Sequence, residues 1–296
     1  MNKGTRPLAA IRLALFLGLL CAFTGPEAWA DPGRVECDSL SSKILAQSVR
    51  YCILLPPSFD RERTKRFPIL YSLHGLGDNE QYLVRYGLWN LVEDLREQGD
   101  LKEFLVATPD AGTSFYINSK DGRNRYEDFL ITEFFPYIER RYRVASGHAY
   151  RAVSGESMGG YGALHLAFHH PQLFSSVSAL SPALVERLPI VVGSTTGFRS
   201  ANVLRAFGTP PDPAFWERNS PLSLARSADL AGLRILFNCG AEDDYGFEAG
   251  AAALDKVLSS RHIVHDYHLY PGRHDAAYFA AHLPAALEFH SRGFPP

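Results

Sequence analysis

The sequence predicts an α/β fold with a mainly parallel central sheet and helices on both of its faces. Short apolar segments alternate with amphipathic segments along most of the chain, the pattern of strands linked by crossover helices. Residues 67–73 are almost continuously hydrophobic, which is typical of a strand covered on both faces. A strand, a glycine-rich turn and a helix follow one another in residues 150–169, and we expect the active groups to be arranged around this unit.

Strands are expected where apolar, β-branched or aromatic residues are bounded by proline, glycine or polar residues. They are residues 34–38, 49–55, 67–73, 104–108, 150–153, 177–180, 234–239 and 264–270. Pro56 and Pro57 end the second strand, because proline cannot donate a backbone hydrogen bond to a sheet. Several of the later strands run into turns that contain glycine together with Asp or His, so polar side chains follow their carboxyl ends.

Helices are expected where apolar residues recur at helical spacing. They are residues 86–98, 126–141, 158–169, 247–258 and 276–289. In the first of them Leu88, Val92 and Leu95 share one face, and Glu93 lies on the opposite face. Each helix therefore has an apolar side that can pack on the sheet.

One domain over residues 31–296 is the simplest organisation. The chain has 296 residues, is 46% hydrophobic and has a formal net charge of -2. This balance gives no reason to expect a nucleic acid or an anionic membrane as partner. Residues 183–221 are too long for an ordinary connection, and their aromatic side chains lead us to expect a cap over the site. These are Phe198, Phe207, Phe215 and Trp216.

The first thirty residues have the pattern of a secretory signal peptide. Lys3, Arg6 and Arg12 form a basic start, residues 13–23 are apolar and uncharged, and a small-x-small site ends at Ala30. This apolar run is too short to span a bilayer, so we expect no membrane anchor in the mature chain. Cleavage near Ala30 would give a secreted or periplasmic protein.

An exported protein can form disulfides. Cys37 and Cys52 fall in the first two predicted strands, where they could face each other across a hairpin, and we expect them to be bonded. Cys239 lies in another apolar strand and resembles a buried core thiol. Three free thiols are the alternative.

Gly155, Ser157 and Gly159 form a Gly-x-Ser-x-Gly turn between a predicted strand and a predicted helix. Such a turn holds its central serine in a strained conformation at the top of a sheet, and small neighbours avoid collisions there. Ser157 is therefore the candidate nucleophile. A structural turn with a capping serine is the alternative.

Two further residues complete a possible catalytic set at the ends of strands. Asp243 follows the strand at 234–239 and His274 follows the strand at 264–270. The order Ser157, Asp243, His274 is that of serine hydrolases on parallel sheets. His274 would take the serine proton, and Asp243 would orient its ring. Glu242 and Asp244 flank Asp243 and are its rivals; Asp244, one residue further out, is expected to point elsewhere.

An oxyanion needs hydrogen-bond donors. The backbone N–H of Met158, directly after the nucleophile, is one candidate donor. The loop after the third strand contains His74, Gly75, Leu76 and Gly77, and we assign the second donor to the N–H of Leu76. A plain turn is the alternative for this loop.

Short motifs spread over nearly the whole mature chain carry a resemblance to a known family. They are LHGLG at 73–77, PDAG at 109–112, SFY at 114–116, YEDF at 126–129, GESMGGYGA at 155–163 and PGRHD at 271–275. In them the chain resembles the esterase D-like, feruloyl-esterase-type branch of the α/β-hydrolases. The resemblance implies an α/β-hydrolase fold and hydrolysis of carboxylic esters without a cofactor. Many relatives have a tryptophan two residues after the catalytic histidine, where this chain has Ala276, so the aromatic wall of the acyl pocket is expected to differ.

Three functions are open to such a chain. The first is a secreted serine esterase that acts on a small-molecule or carbohydrate-linked ester through an acyl-enzyme. The second is an acyltransferase that uses the same residues to pass the acyl group to a sugar or another alcohol. The third is a catalytically silent binding protein, since a fold alone does not fix function. We identify no glycine-rich phosphate loop, no Cys/His metal cluster and no helix suited to DNA in the sequence.

Overall fold

The computed structural model describes residues 1, 33–187 and 205–296. The signal peptide expected at residues 1–30 lies outside the described residues apart from Met1, and so does the middle of the expected cap, 188–204 with Phe198. Pro32–Pro296 form one compact unit. In the part of the chain that is described, no helix is both long and apolar enough to cross a membrane.

Eight strands form a single sheet in the described residues. They are β1 (Arg34–Ser42), β2 (Gln47–Leu55), β3 (Ile69–Leu73), β4 (Leu105–Pro109), β5 (Arg151–Glu156), β6 (Ser176–Leu180), β7 (Arg234–Gly240) and β8 (Asp266–Tyr270). The strand order is β1-β2-β4-β3-β5-β6-β7-β8. β1, β2 and β4 pair antiparallel, and all strands from β4 onward along the sheet pair parallel. The expectation of a mainly parallel sheet in an α/β-hydrolase fold is confirmed.

Helices connect these strands. They are α1 (Ser58–Arg61), α2 (Tyr82–Arg85), α3 (Leu88–Glu97), α4 (Tyr126–Phe129), α5 (Phe135–Arg141), α6 (Met158–His169), α7 (Pro213–Asn219), α8 (Pro221–Leu224), α9 (Phe247–Ser260) and α10 (Ala276–Gly293). Single 3₁₀ turns lie at His148–Tyr150 and Pro171–Leu173, and a π-helical turn at Leu130–Phe134 joins α4 to α5.

The sheet is covered on both faces because alternate strand residues point to opposite sides. Leu70 of β3 packs in one cluster with α3 and α10, whereas its neighbours Ile69 and Tyr71 pack in the other cluster with α5, α6 and α9. The residues that β3 contributes to the two clusters are fully buried. The carboxyl ends of β3, β5, β7 and β8 meet at one edge of the sheet. The loops that carry the polar residues lie at this edge.

Two expected helices differ from the structure in ways that proline and glycine explain. The helix expected at 86–98 begins at Leu88, because Gly87 adopts φ 68° and separates it from α2. The helix expected at 126–141 is interrupted by the π-helical turn. Pro136 lacks the N–H that an unbroken α-helix would donate at that point, so the chain widens by one residue just before it.

The first two strands form the predicted hairpin with its disulfide. Cys37 lies directly opposite Cys52 in the β1–β2 register, and the two are bonded across 15 residues of sequence. Cys239 is buried and unbonded to another cysteine. Since β1 is the edge strand of the sheet, the disulfide fastens an element that pairs on one side only.

We expect the double substitution Cys37→Ser with Cys52→Ser to lower the free energy of unfolding by about 3 kcal/mol, because the unfolded chain regains the entropy of a closed loop of this length. Urea unfolding of the oxidised wild type and the double variant measures the difference. Reduction should bring the wild type to the level of the variant and leave the variant unchanged. Equal midpoints for oxidised wild type and variant would contradict the expectation.

Candidate active site

Ser157 occupies a tight turn between β5 and α6. Its backbone adopts φ 53° and ψ −116°, a region that bulky residues avoid. A Cβ on Gly155 would lie 2.2 Å from the carbonyl oxygen of Gly159, and a Cβ on Gly159 would lie 1.9 Å from that of Leu73. Both positions therefore require glycine, as the motif predicted.

The backbone of the turn is held from the neighbouring strand. The N–H of Ser157 donates to the carbonyl of Leu180 at 2.9 Å, and the carbonyl of Ser157 accepts from the N–H of Ala183 at 2.9 Å. Helix α6 starts at Met158 directly behind the serine. The first N–H groups of a helix have no partner within it and carry the positive end of the dipole, so partial positive charge lies beside the hydroxyl.

The structure brings Ser157, His274 and Asp243 into one hydrogen-bonded row. The Oγ of Ser157 lies 2.8 Å from Nε2 of His274, and Nδ1 of the same ring lies 2.7 Å from Oδ2 of Asp243. The side chain of His274 is 6% exposed and that of Asp243 is fully buried. If Nδ1–H donates to the carboxylate, Nε2 is left free to accept the serine proton.

Asp243 is well supplied with hydrogen-bond donors. Its Oδ1 accepts from the N–H of Tyr245 at 2.9 Å and lies 3.5 Å from the N–H of Phe247, at the start of α9. Burial alone raises the pKa of the Asp243 carboxyl, but the hydrogen bond and charge of His274 and these backbone donors hold the pKa below its ordinary value. The carboxyl therefore stays ionised beside the imidazole.

The neighbouring acids lie in the same loops but not on the imidazole of His274. Glu242 accepts from the N–H of Gly272 at 2.7 Å. Asp244 forms an ion pair with Arg273 and accepts from the backbone N–H of His274 at 3.2 Å. Asp244 was expected to point elsewhere than the imidazole, and its carboxylate does so: it fixes the backbone of the loop that carries His274.

The loop after β3 lies beside the nucleophile and is anchored by its own histidine. The ring of His74 donates from Nδ1 to the carbonyl of Gly75 at 2.8 Å and accepts from the N–H of Ala111 at 2.9 Å. Burial lowers the pKa of His74, so the neutral ring can do both. Tyr116 donates to the carbonyl of His74 at 3.0 Å.

The two expected oxyanion donors belong to two different segments, Leu76 to the loop after β3 and Met158 to the start of α6. The Leu76 N–H has no acceptor within residues 33–187 and 205–296, and Leu76 is 39% exposed. Met158 is the first residue of α6. A Cβ on Gly75 would lie 3.5 Å from the Cβ of Ser157, so the loop and the nucleophile are in contact. The assignment of these donors to an oxyanion stays a prediction.

Several aromatic rings surround His274. These rings were not among the residues expected at the site from the sequence. Tyr245 and Phe279 meet its ring edge to face, with centroids 4.8 and 5.2 Å away, and Phe247 lies at 5.4 Å. Ala276, at the place of the family tryptophan, is exposed. The aromatic surface near the histidine therefore comes from the loop before α9, from the first residue of α9 and from α10. The only sequence signal for it was the position of Tyr245, two residues after Asp243.

Glu156, between Gly155 and the nucleophile, is a partly buried acid with an acidic neighbour. Burial raises the pKa of its carboxyl to about 8, and the negative charge of Asp78 adds to this, while a hydrogen bond with the Gly75 backbone opposes it. Asp78 itself is paired with Arg85 at 2.9 Å. The site thus contains one carboxyl that stays ionised, Asp243, and one that retains its proton near neutral pH.

The described part of the expected cap packs along α6. Phe207 and Trp216 contact the ring of Tyr161, with centroids 6.0 Å away in both cases. Tyr161 lies one turn after Ser157 and donates from its hydroxyl to the carbonyl of Asn219 at 2.8 Å. This fastens the segment to the nucleophile helix; whether it shapes a substrate pocket stays a prediction.

Comparison with known protein families gives a match over most of the chain. A family model described as "Putative esterase" matches residues 42–290. Two esterases of Mycobacterium tuberculosis, MT1326 and Rv1288, are each 28% identical over 240 residues, which is 75% of this chain and 51% of theirs. The chain thus spans about half the length of these relatives.

Solved structures are similar over nearly the whole described fold. A ferulic acid esterase has a TM-score of 0.77 and 26% identity, covering 89% of this chain and 99% of that one. An S-formylglutathione hydrolase from Agrobacterium tumefaciens has a TM-score of 0.71 and 19% identity, covering 89% of this chain and 96% of that one. The second similarity, at this level of identity, supports the fold alone.

We expect Glu156→Gln to be more stable than the wild type at alkaline pH and about equally stable in acid. An acid with an ordinary pKa of 4.5 when unfolded and about 8 when folded keeps its proton longer in the native state. Ionisation of Glu156 therefore costs stability increasingly as pH rises between these values, and glutamine removes that cost.

Urea unfolding of both proteins at about pH 5 and about pH 9 measures this difference. The exposed Glu217→Gln serves as the control, with no expected gain of this kind. A difference between Glu156→Gln and wild type that does not grow with pH would contradict the raised pKa.

Proposed function

The chain belongs to the esterase family, and on this premise we propose that it is a serine hydrolase that cleaves carboxylic esters through an acyl-enzyme. The observation that carries the proposal is the row formed by Ser157, His274 and Asp243, with contacts of 2.8 and 2.7 Å. The substrate class is a small-molecule or carbohydrate-linked ester. The ferulic acid esterase among the similar structures supports hydroxycinnamate esters as substrates to test.

In the first half-reaction, the Oγ of Ser157 attacks the ester carbonyl carbon while its proton passes to Nε2 of His274. A bond forms between Oγ and this carbon, and the carbonyl oxygen becomes an oxyanion. Asp243 stabilises the imidazolium through Nδ1–H. His274 then gives the proton to the leaving alkoxide as the ester C–O bond breaks, which leaves the acyl group on Ser157 and releases an alcohol.

The N–H groups of Leu76 and Met158 would stabilise the oxyanion. The proposal is supported by the loop that carries Leu76, which His74 and Tyr116 hold against the nucleophile. Donors that are already oriented cost no reorganisation when the charge develops. The partial charge at the start of α6 would act in the same direction.

In the second half-reaction, water attacks the acyl carbon while His274 takes one of its protons; the bond from this carbon to Oγ of Ser157 then breaks, His274 returns the proton to Oγ, and the carboxylic acid leaves. The acyltransferase hypothesis shares the first half-reaction and differs only in the acceptor, an alcohol or sugar in place of water. Product analysis with and without an added alcohol distinguishes them. Acid as the sole product supports hydrolysis, and a new ester as the main product would replace it by transfer.

We also propose that the protein works outside the cytoplasm, after cleavage near Ala30. The disulfide between Cys37 and Cys52 supports this location, because structural disulfides persist in oxidising compartments and are rare in the cytosol. Mass analysis of the exported protein would give its first residue directly.

We expect Ser157→Ala to reduce ester hydrolysis by about 10⁴–10⁶-fold while the protein stays folded, because removal of a nucleophile abolishes the covalent route. p-Nitrophenyl esters of rising chain length together with methyl ferulate provide the assay. The exposed Ser227→Ala is the matched control. A fluorophosphonate probe should label wild type and control but not Ser157→Ala. Activity of Ser157→Ala within tenfold of wild type would exclude this serine as nucleophile.

We expect Asp243→Asn to lower turnover by about 10⁴-fold, because an amide facing Nδ1 favours the wrong tautomer of His274. Asp244→Asn is the matched comparison. Its exposed ion pair with Arg273 is worth little, and an asparagine oxygen can still accept from the His274 N–H, so its loss should be far smaller. Steady-state kinetics of both variants decide; a larger loss in Asp244→Asn would show that the other carboxylate serves the imidazole.

A further inference from the structure

Four side chains of metal-ligating chemistry meet away from the nucleophile. They are Glu127, His165, His169 and His170, and we call them the Glu–His cluster. Glu127 lies on α4, His165 and His169 lie one turn apart near the end of α6, and His170 follows that helix. No sequence motif marks this cluster, because the glutamate is remote in sequence from the histidines.

The ligand atoms of three members of the cluster lie close together, and His165 approaches them through Glu127. Nδ1 of His169 and Nε2 of His170 lie 2.7 and 2.8 Å from the same oxygen, Oε1 of Glu127. The coordinating atoms of these three residues all lie within 4.8 Å of one another. Nε2 of His165 faces the second oxygen, Oε2, at 3.2 Å.

The buried ring of His165 gives the independent indication of a cation. Its Nδ1 lies 2.9 Å from the carbonyl of Asn219, which can only accept, so Nδ1 carries a proton. In the neutral ring Nε2 then has a lone pair. This atom is buried, has no hydrogen-bond partner in the described part of the chain, and faces a carboxylate oxygen. Two electron-rich atoms in a buried site repel unless positive charge lies between them.

We propose that the Glu–His cluster binds a divalent transition-metal ion, with Zn²⁺ the ion that suits its ligands best. Imidazole nitrogen and carboxylate oxygen are ordinary ligands of Zn²⁺, and four of them complete a tetrahedral structural site. Histidines four residues apart on one helix, like His165 and His169, present their rings on the same face. Glu127, His169 and His170 already meet through hydrogen bonds, and a proton on Nε2 of His165 would supply positive charge only at its own contact with Oε2. A metal ion would replace the hydrogen bonds by coordinate bonds, with His165 as the candidate fourth ligand.

The candidate ligands also contact residues outside the cluster, and these contacts have the arrangement expected around a bound metal ion. Ligating histidines usually donate their other ring N–H to a carbonyl or carboxylate, which fixes the tautomer; His165 does so to Asn219. The ring of Tyr161 stacks on His165 at 6.4 Å between centroids and restricts its rotation. The most buried ligand is therefore already oriented.

Exposure permits entry of an ion from one side. The side chains of Glu127 and His165 are 6% and 0% exposed, whereas those of His169 and His170 are 48% and 25% exposed. Tetrahedral coordination with bonds of about 2.0–2.1 Å separates ligand atoms by about 3.3 Å. The two nitrogens near Oε1 must therefore move outward by about 0.5 Å, a change that two partly exposed rings can make.

The test uses tag-free full chain, treated with a chelator and desalted. Wild type, His169→Ala and Glu127→Gln are titrated with ZnCl₂ by calorimetry, and bound zinc is measured by mass spectrometry after dialysis. His148→Ala, an exposed histidine outside the cluster, is the matched control. We expect one Zn²⁺ per wild-type chain and a rise in melting temperature with Zn²⁺ but not Mg²⁺. Binding should be weakened by about tenfold or more in the two cluster variants and unchanged in His148→Ala.

Two results would overturn the proposal. One is a wild-type chain that binds no stoichiometric Zn²⁺ at micromolar concentrations, a result that does not depend on any variant being folded. The other is binding that His169→Ala and Glu127→Gln, shown to be folded by circular dichroism, leave at wild-type strength. Neither readout involves ester hydrolysis, so this test stands apart from the test of the proposed activity.

Discussion

The close packing of α6 against β3 and β5 is the constraint on which the site depends. At Gly155 and Gly159 backbone meets backbone, with no room for a side chain. This contact forces the chain to reverse within the turn and leaves Ser157 at a positive φ. Such a conformation costs roughly 1–3 kcal/mol and persists only where the surroundings hold it. Here Leu180 at the end of β6 and Ala183, three residues later, do so through hydrogen bonds to both backbone groups of the serine.

Two carboxyl groups near the serine differ in charge because their surroundings differ. Asp243 faces an imidazole and backbone N–H groups, which favour the charged form. Glu156 is buried near the negative charge of Asp78, and both raise the pKa of its carboxyl. A hydrogen bond with the Gly75 backbone acts in the opposite direction but is the weaker effect. One acid is therefore kept ionised and the other is kept neutral near pH 7 within a single site. Only the ionised carboxylate can stabilise an imidazolium.

The three residues of the hydrogen-bonded row were predictable from the sequence, because each follows the end of a predicted strand and few other residues of suitable chemistry do. Once strands end before Ser157, Asp243 and His274, a parallel sheet places all three on one edge, and the structure does bring them together. The disulfide was predictable because Cys37 and Cys52 lie in two consecutive strands. A hairpin of these strands places the two cysteines opposite each other.

What could not be predicted depends on side chains that meet only through tertiary packing. Phe115 and Tyr116 adopt φ 54° and 60°, which large residues normally avoid, yet this bend lets Tyr116 hold the His74 carbonyl. No local pattern announces such a bend. The edge-on approach of Phe279 to His274 likewise depends on how α10 packs, and the meeting of Glu127 with His169 depends on how α4 lies on α6.

Helix α6 also determines what the Glu–His cluster can affect. With a rise of about 1.5 Å per residue, His165 lies about 12 Å along the axis from Ser157, too far to touch a reacting ester. Tyr126, beside Glu127, meets the ring of Tyr116 at 5.8 Å, and Tyr116 in turn holds His74. Intervening contacts of this kind do not by themselves establish coupling between sites. They do mean that an ion held between α4 and α6 would stabilise the layer on which the nucleophile turn and its neighbouring loop rest. We therefore expect the ion to affect stability and positioning rather than the chemical step.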